Sequence, residues 1–371
     1  MPLHVATRKG LFVYDFSGPV PQISSRHFLG MNVSMTLVDP RSGRWYAALD
    51  HGHFGVKLHG SSDQGATWSE LATPAYPKRP EGAPAVGEDG RPLAWDLKRI
   101  WSLEAGGVNE PGRLWCGTLP GGLFRSDDHG ASWSLVEGLW NHPSRLKWMG
   151  GGADYPGIHS ICVDPRDPRT IRLAVSCGGA WRSDDSGATW RNTSRGMFAA
   201  FMPPEGRENP DVQDPHRMVQ CREQPEHLWI QHHNGVFHST DGGELWQHVP
   251  HIPPSDLGFG FPVAVHPRHG DTAWLVPAIK DEVRYPADGK VVVVRTDNGG
   301  ASWRELRTGL PQADAYDLVW RHGLDVSADG NSLAFGSTTG DLWATRDGGE
   351  QWQLVNAHLP PVHAVRWYGN P

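Results

Sequence analysis

Apolar and polar positions alternate along this chain in short runs, and the runs come in pairs with a fixed spacer. GGLFRS (121–126), GGAWRS (178–183), NGVFHS (234–239) and DLWATR (341–346) are apolar runs that close on a polar residue. Beyond each spacer a tryptophan opens a second alternating run, as in SWSLVE (132–137) and TWRNTS (189–194). Period-two alternation predicts strands, and two such strands across a fixed tight turn predict a β-hairpin.

The spacer is an eight-residue phrase written six times: SSDQGATW (61–68), SDDHGASW (126–133), SDDSGATW (183–190), STDGGELW (239–246), TDNGGASW (296–303) and TRDGGEQW (345–352). Each copy opens on Ser or Thr and has Gly three residues before Trp. Asp stands five before Trp at Asp63, Asp128, Asp185, Asp241 and Asp347, and Asn298 takes that place in the fifth copy. Asp or Asn can bond the backbone of its own turn, and Gly tolerates positive φ, so the phrase encodes a tight turn. The indole that follows is large enough to anchor packing between neighbouring sheets.

Tryptophan-to-tryptophan intervals of 49 to 65 residues match a four-stranded propeller blade with one generous loop. Six phrases mark six blades. PVHAVRW near the C-terminus and HVATRKGLFVYD near the N-terminus supply the strands of one more, with the second segment read as second and third strands. One all-β domain over 1–371 is expected, a seven-bladed β-propeller with its last sheet closed by both ends of the chain; six blades is the alternative. Composition agrees: 45 Gly and 31 Pro in 371 residues leave little room for long helices.

The phrase resembles the Asp-box, or bacterial neuraminidase repeat, of sialidase-like propellers, and the resemblance covers nearly the whole chain. It implies a propeller whose boxes lie on the blade periphery, on the face opposite the functional one, so the six phrases are scaffold. It does not imply one activity, because that family spans sialidases, sortilin-like receptors, photosystem assembly factors and xyloglucan-degrading enzymes. Sialidases carry an FRIP-like phrase, an arginine triad and a tyrosine nucleophile. Here the nearest phrase is KRIW (98–101), in which Arg99 alone preserves the likeness, and none of the seven Tyr matches the nucleophile.

Aligning the blades on the phrase gives equivalent positions at the start of each inner strand: Ser34, Arg99, His159, His216, Phe261, His322 and His363. The turns between second and third strands should open on the same face, and they bring His51, His53, Cys177, His232 and His233. A His-rich pocket is therefore expected there. Clustered neutral imidazoles suit one transition-metal ion (zinc, iron, copper or manganese), for which His159, His216, His322 and His363 are the expected ligands. The same rings would equally serve as metal-free acids and bases, or as hydrogen-bonded residues of a water-filled channel.

Long connections near 73–96, 138–157 and 193–215 crown this face. The first is read as a lid. The others mix aromatic and charged residues suited to a small polar or carbohydrate-like ligand, with Asp154, Tyr155 and Asp214 as site candidates beside Arg99, His51, His53, His232 and His233. No carboxylate pair can be matched across the pocket, which places hydrolysis, elimination or oxidation by histidine or metal ahead of two-carboxylate glycoside hydrolysis. A non-catalytic protein-binding propeller is the remaining class. The formal charge of −7 offers no broad attraction to nucleic acid, and no apolar stretch is long enough to span a membrane. Four scattered cysteines and an opening without a long apolar run suit the cytoplasm.

Overall fold

Every box phrase folds as the turn that its residues encode. In the computed structural model, which describes residues 1–83, 85–86, 90, 93–150 and 154–368, the first box shows the pattern. Ser61 Oγ donates to Asp63 Oδ1 at 2.8 Å and accepts from Gly65 N at 2.8 Å, while Thr67 N donates to Asp63 Oδ1 at 2.9 Å and Thr67 Oγ1 to Oδ2 at 2.6 Å. The glycine three before Trp has positive φ in all six copies, from 84° at Gly130 to 104° at Gly349, where a Cβ would strain the backbone. Asn298 keeps the arrangement: its Oδ1 accepts from Ser302 N and Thr296 Oγ1, and its Nδ2 donates to Ser302 Oγ at 2.8 Å.

Seven four-stranded antiparallel sheets result, so the count is seven blades and not six. In chain order the strands are β1 (Pro2–Thr7), β2 (Gly10–Asp15) and β3 (Gln22–His27); β4 (Asn32–Val38), β5 (Trp45–Asp50), β6 (Val56–Ser61) and β7 (Ser69–Leu71); and β8 (Arg99–Ala105), β9 (Leu114–Leu119), β10 (Leu123–Ser126) and β11 (Ser134–Leu135). They continue as β12 (Gly157–Val163), β13 (Ile171–Ser176), β14 (Gly179–Ser183) and β15 (Arg191–Asn192), then β16 (Pro215–Gln220), β17 (Leu228–His232), β18 (Gly235–Ser239) and β19 (Gln247–Val249). The last are β20 (Gly260–Val265), β21 (Ala273–Pro277), β22 (Val293–Thr296) and β23 (Arg304–Leu306); β24 (Leu324–Val326), β25 (Leu333–Gly336), β26 (Leu342–Thr345) and β27 (Gln353–Asn356); and β28 (Val362–Trp367). Each box joins the third and fourth strands of its blade. The seventh sheet has the order β28-β1-β2-β3, with Val5 opposite both Val365 and Phe12. The protein is a seven-bladed β-propeller.

The inner-strand register inferred from the boxes has a backbone signature. Five residues after Ser34, His159, His216, Phe261 and His322, the amides of Asp39, Asp164, Cys221, His266 and Ser327 donate to Arg44 O, Thr170 O, His227 O, Thr272 O and Ser332 O. In the second blade the equivalent bond is Gly106 N to Arg113 O, seven residues after Arg99, so Trp101 and not Arg99 stands at the equivalent inner-strand position.

Two compact units make up the chain, Leu37–Pro215 and Met1–Thr36 with His216–Pro371. In the first, one cluster joins Trp115 and Leu123 of one blade to Leu173, Val175 and Trp181 of the next. In the second, Trp229 and Val236 pack on Val263 and Leu275, Trp274 and Val293 on Phe335 and Trp343, and Leu342 and Ala334 on Leu3 and Val5. Fully burying an apolar side chain of the valine-to-phenylalanine range is worth about 1.5–3 kcal/mol, so the clusters that bridge successive blades hold them together. Box tryptophans contribute unevenly: Trp190, Trp246 and Trp352 are buried, and Trp68, Trp133 and Trp303 are half-buried. Among the described residues no helix is long and apolar enough to cross a membrane.

Candidate functional site

In the Leu37–Pro215 unit the predicted residues take different parts. Arg99, at the start of β8, donates from Nη2 to Asp50 Oδ2 at 3.1 Å. His51 follows Asp50 and meets the edge of Phe54 at 5.1 Å, and His53 lies exposed in a 3-10 turn, Gly52–Phe54. Asp214 caps the turn between β13 and β14: its Oδ1 accepts from Ser176 Oγ and Cys177 N, both at 3.1 Å. Cys177 sits there at φ 46°, so the carboxylate holds a strained backbone. His159 is fully buried; its Nε2 donates to Pro215 O at 2.8 Å, which leaves Nδ1 to accept from Ser160 Oγ at 3.0 Å.

Asp154 and Tyr155 are neighbours in one connection. They line a cleft with Arg145, Trp148, Met149 and Pro120. Arg145 lies 3.7 Å from the centroid of the Trp140 ring and donates from Nε to Trp140 O at 2.5 Å; burial lowers its pKa. Tyr76, from the connection read as a lid, donates to Pro120 O at 2.6 Å and packs its ring against Phe124 and Trp140, at 5.1 and 5.0 Å. Trp95 meets Trp140 edge to face at 5.5 Å. Around Tyr76 and Trp95 that connection is anchored wall, because its aromatic rings find more burial in the blade than in solvent.

In the other unit, His216 is buried at the start of β16, where its Nδ1 donates to Gly260 O at 2.7 Å and its ring stacks on Phe261 at 4.6 Å. His233 meets the edges of His216 and Phe259, with Nε2 3.9 Å from Asp281 Oδ2. The guanidinium carbons of Arg284 and Arg321 stand 5.4 and 5.3 Å from the Phe261 centroid, and Arg284 pairs with Asp281 at 2.5 Å. His232 is fully buried, and its Nδ1 accepts from Asn234 N at 3.0 Å, so it caps its own turn. His322 is buried and accepts from Val365 N at 2.8 Å through its carbonyl, and His363 stacks on Trp320 at 4.9 Å.

Among the described residues, His159, His322 and His363 belong to no group of three potential ligands whose atoms lie within 4.8 Å of one another. For His159 the reason is chemical: a ring with one nitrogen donating and the other accepting has no lone pair left for a metal. His159 therefore keeps no ring nitrogen for an ion.

Sequence reasoning missed a carboxyl pair. Asp341, at the end of the STTGD turn between β25 and β26, is hydrogen-bonded to Asp317, and burial followed by the charge of Asp317 pushes its pKa up to about 6. Thr339 Oγ1 donates to Asp317 Oδ1 at 2.6 Å, and Ser337 Oγ lies 2.6 Å from Thr339 Oγ1.

No protein-family model matches the chain. A probable oligoxyloglucan-reducing end-specific xyloglucanase of Neosartorya fischeri is 28% identical over 369 residues, 96% of this chain and 37% of that protein. Among solved structures, an ancestral GH74 enzyme is 17% identical with a TM-score of 0.60, covering 87% of this chain and 37% of that one. YCF48 bound to D1 peptide is 15% identical with a TM-score of 0.50, covering 87% and 82%. These likenesses bear on the fold: the chain shares its propeller with xyloglucanases, while nothing in them singles out a sialidase. It spans between 23% and 37% of the curated xyloglucanases that it matches.

Proposed function

We propose that the protein is a glycoside-hydrolase-like propeller that binds a carbohydrate in the cleft lined by Arg145, Trp148, Asp154 and Tyr155. The lining carries this reading. Tyr155, Trp148, Pro120 and Met149 give apolar walls, and Arg145 and Asp154 give a cation and an anion for hydroxyls. A sugar presents the same combination of a C–H face and a polar rim, and similarity to xyloglucanases supports that ligand class. Asp154 is the one carboxylate among the described lining residues. Two-carboxylate hydrolysis needs a second at roughly 5 to 9.5 Å, so the cleft's own chemistry is recognition.

Titration calorimetry with xyloglucan-derived oligosaccharides is expected to give saturable binding, which Tyr155→Ala weakens about tenfold, equivalent to ~1.4 kcal/mol of ring contact. Release of reducing ends that Asp154→Asn abolishes would add catalysis to recognition. Failure to bind any β-glucan oligosaccharide would refute the reading. Likeness to YCF48 over most of both chains favours peptide docking as the second reading, to be met by a peptide-library screen on the same protein.

A further inference from the structure

Away from that cleft, His227, His238 and Asp271 converge in the Met1–Thr36 and His216–Pro371 unit. His227 ends the turn that leads into β17, His238 is in β18, and Asp271 lies just before β21 of the following blade. One ring nitrogen from each histidine and one carboxylate oxygen of Asp271 all lie within 4.8 Å of one another. His227 Nδ1 is 3.4 Å from Asp271 Oδ1, which is the separation of two ligands about 2.1 Å from one tetrahedral ion.

Three features indicate that this is a built site and not three side chains that happen to meet. The imidazole of His238 is more than nine-tenths buried, and its Nε2 has no hydrogen-bond partner, nor does Nδ1 of His227. Buried polar atoms left so are uncommon, and each calls for a ligand or a reason. The His238 ring is fixed by stacking on the fully buried Trp229, centroids 4.1 Å apart at 12°. Finally, Gly299 leaves the approach open: a Cβ there would stand 3.2 Å from Asp271 Oδ1 and 3.6 Å from His238 Nδ1.

We propose that His227, His238 and Asp271 bind a borderline divalent transition-metal ion, with zinc as the best match, and that the ion clamps the β16–β19 blade to the β20–β23 blade. Two neutral imidazoles and a carboxylate are the donor set that zinc takes, with the fourth position open to water on the side of the half-exposed Asp271. The remaining histidines of the chain do not take part.

The test is calorimetric titration of the untagged, metal-stripped protein with zinc chloride, alongside thermal melting with zinc or magnesium. One zinc per chain and a higher Tm with zinc but not magnesium are expected. Asp271→Asn and His227→Gln should each weaken that binding at least about tenfold and abolish the Tm shift while leaving the metal-free far-ultraviolet spectrum intact. His238→Ala removes a ring stacked on Trp229, so it is the secondary variant. No binding at millimolar zinc would overturn the proposal. So would zinc affinity and Tm shift that persist in both Asp271→Asn and His227→Gln, since the metal would then sit on other histidines.

Discussion

Replacing Asp185 tests whether the box carboxylate acts as a charge or as a hydrogen-bond hub. Its Oδ1 accepts from Thr189 N and Ser183 Oγ, each at 2.8 Å, and its Oδ2 from Thr189 Oγ1 at 2.6 Å. Three bonds at about 1 kcal/mol each set an upper value near 3 kcal/mol for Asp185→Ala. The carboxylate is exposed, and water will replace part of what is lost, so about 1 kcal/mol is expected. Asp185→Asn should be milder, at most about 0.5 kcal/mol. Asn298 shows how it fits: the amide nitrogen donates where the carboxylate accepted, and the partner hydroxyl reverses its role.

The two variants differ further with pH. Hydrogen bonds from Thr189, side chain first, hold the pKa of Asp185 below the usual carboxylate value, as those from Thr67 hold Asp63 at about 2. A folded pKa below the unfolded one near 3.9 means that the stabilisation is complete above that value and is lost as pH falls through the folded pKa. Urea unfolding at pH 7 and at pH 3, followed by circular dichroism, reads both effects. Wild type should lose stability between the two more steeply than Asp185→Asn. If Asn destabilises as much as Ala at pH 7, the hydrogen-bond account of the box is wrong.

Asp341 has the opposite sign: with a folded pKa raised to about 6, stability falls as pH rises from about 4 through 6. Asp341→Asn should therefore be more stable than wild type at pH 7.5, by about 1 kcal/mol after allowing for its partial exposure, and equal to it below pH 4; a lower urea midpoint at pH 7.5 would contradict this. Gly187→Ala places a Cβ at φ 87° and 3.2 Å from Val136 Cγ1, and a loss of about 1–2 kcal/mol is expected in the same unfolding assay.

Fold was legible because its determinants are local and repeated. Ser, Asp and Gly of each box fix one turn, and six turns fix the blade register, down to the shared amide bonds five residues after the inner-strand positions. The site was only partly legible, because what decides an imidazole's role is its partner. Pro215 and Gly260 occupy His159 and His216 through backbone carbonyls, which carry no sequence signature. Asp154 and Tyr155 were recoverable because they share one connection with Arg145 and Trp148. Asp317 with Asp341, and His227 and His238 with Asp271, are brought together by blade packing, and no motif spacing marks either group.

The pairing of β1 with β28 also sets an order of events. The sheet that contains β1 is completed by residues 362–367, so during synthesis β1 and β2 wait with one edge unpaired until β28 has been made. An exposed strand edge invites pairing with other chains, and closing so long a loop comes late because its entropic cost precedes any contact that rewards it. The nascent protein is thus prone to misassociation at β1 and β2, and the arrival of β28 is the step that ends the exposure.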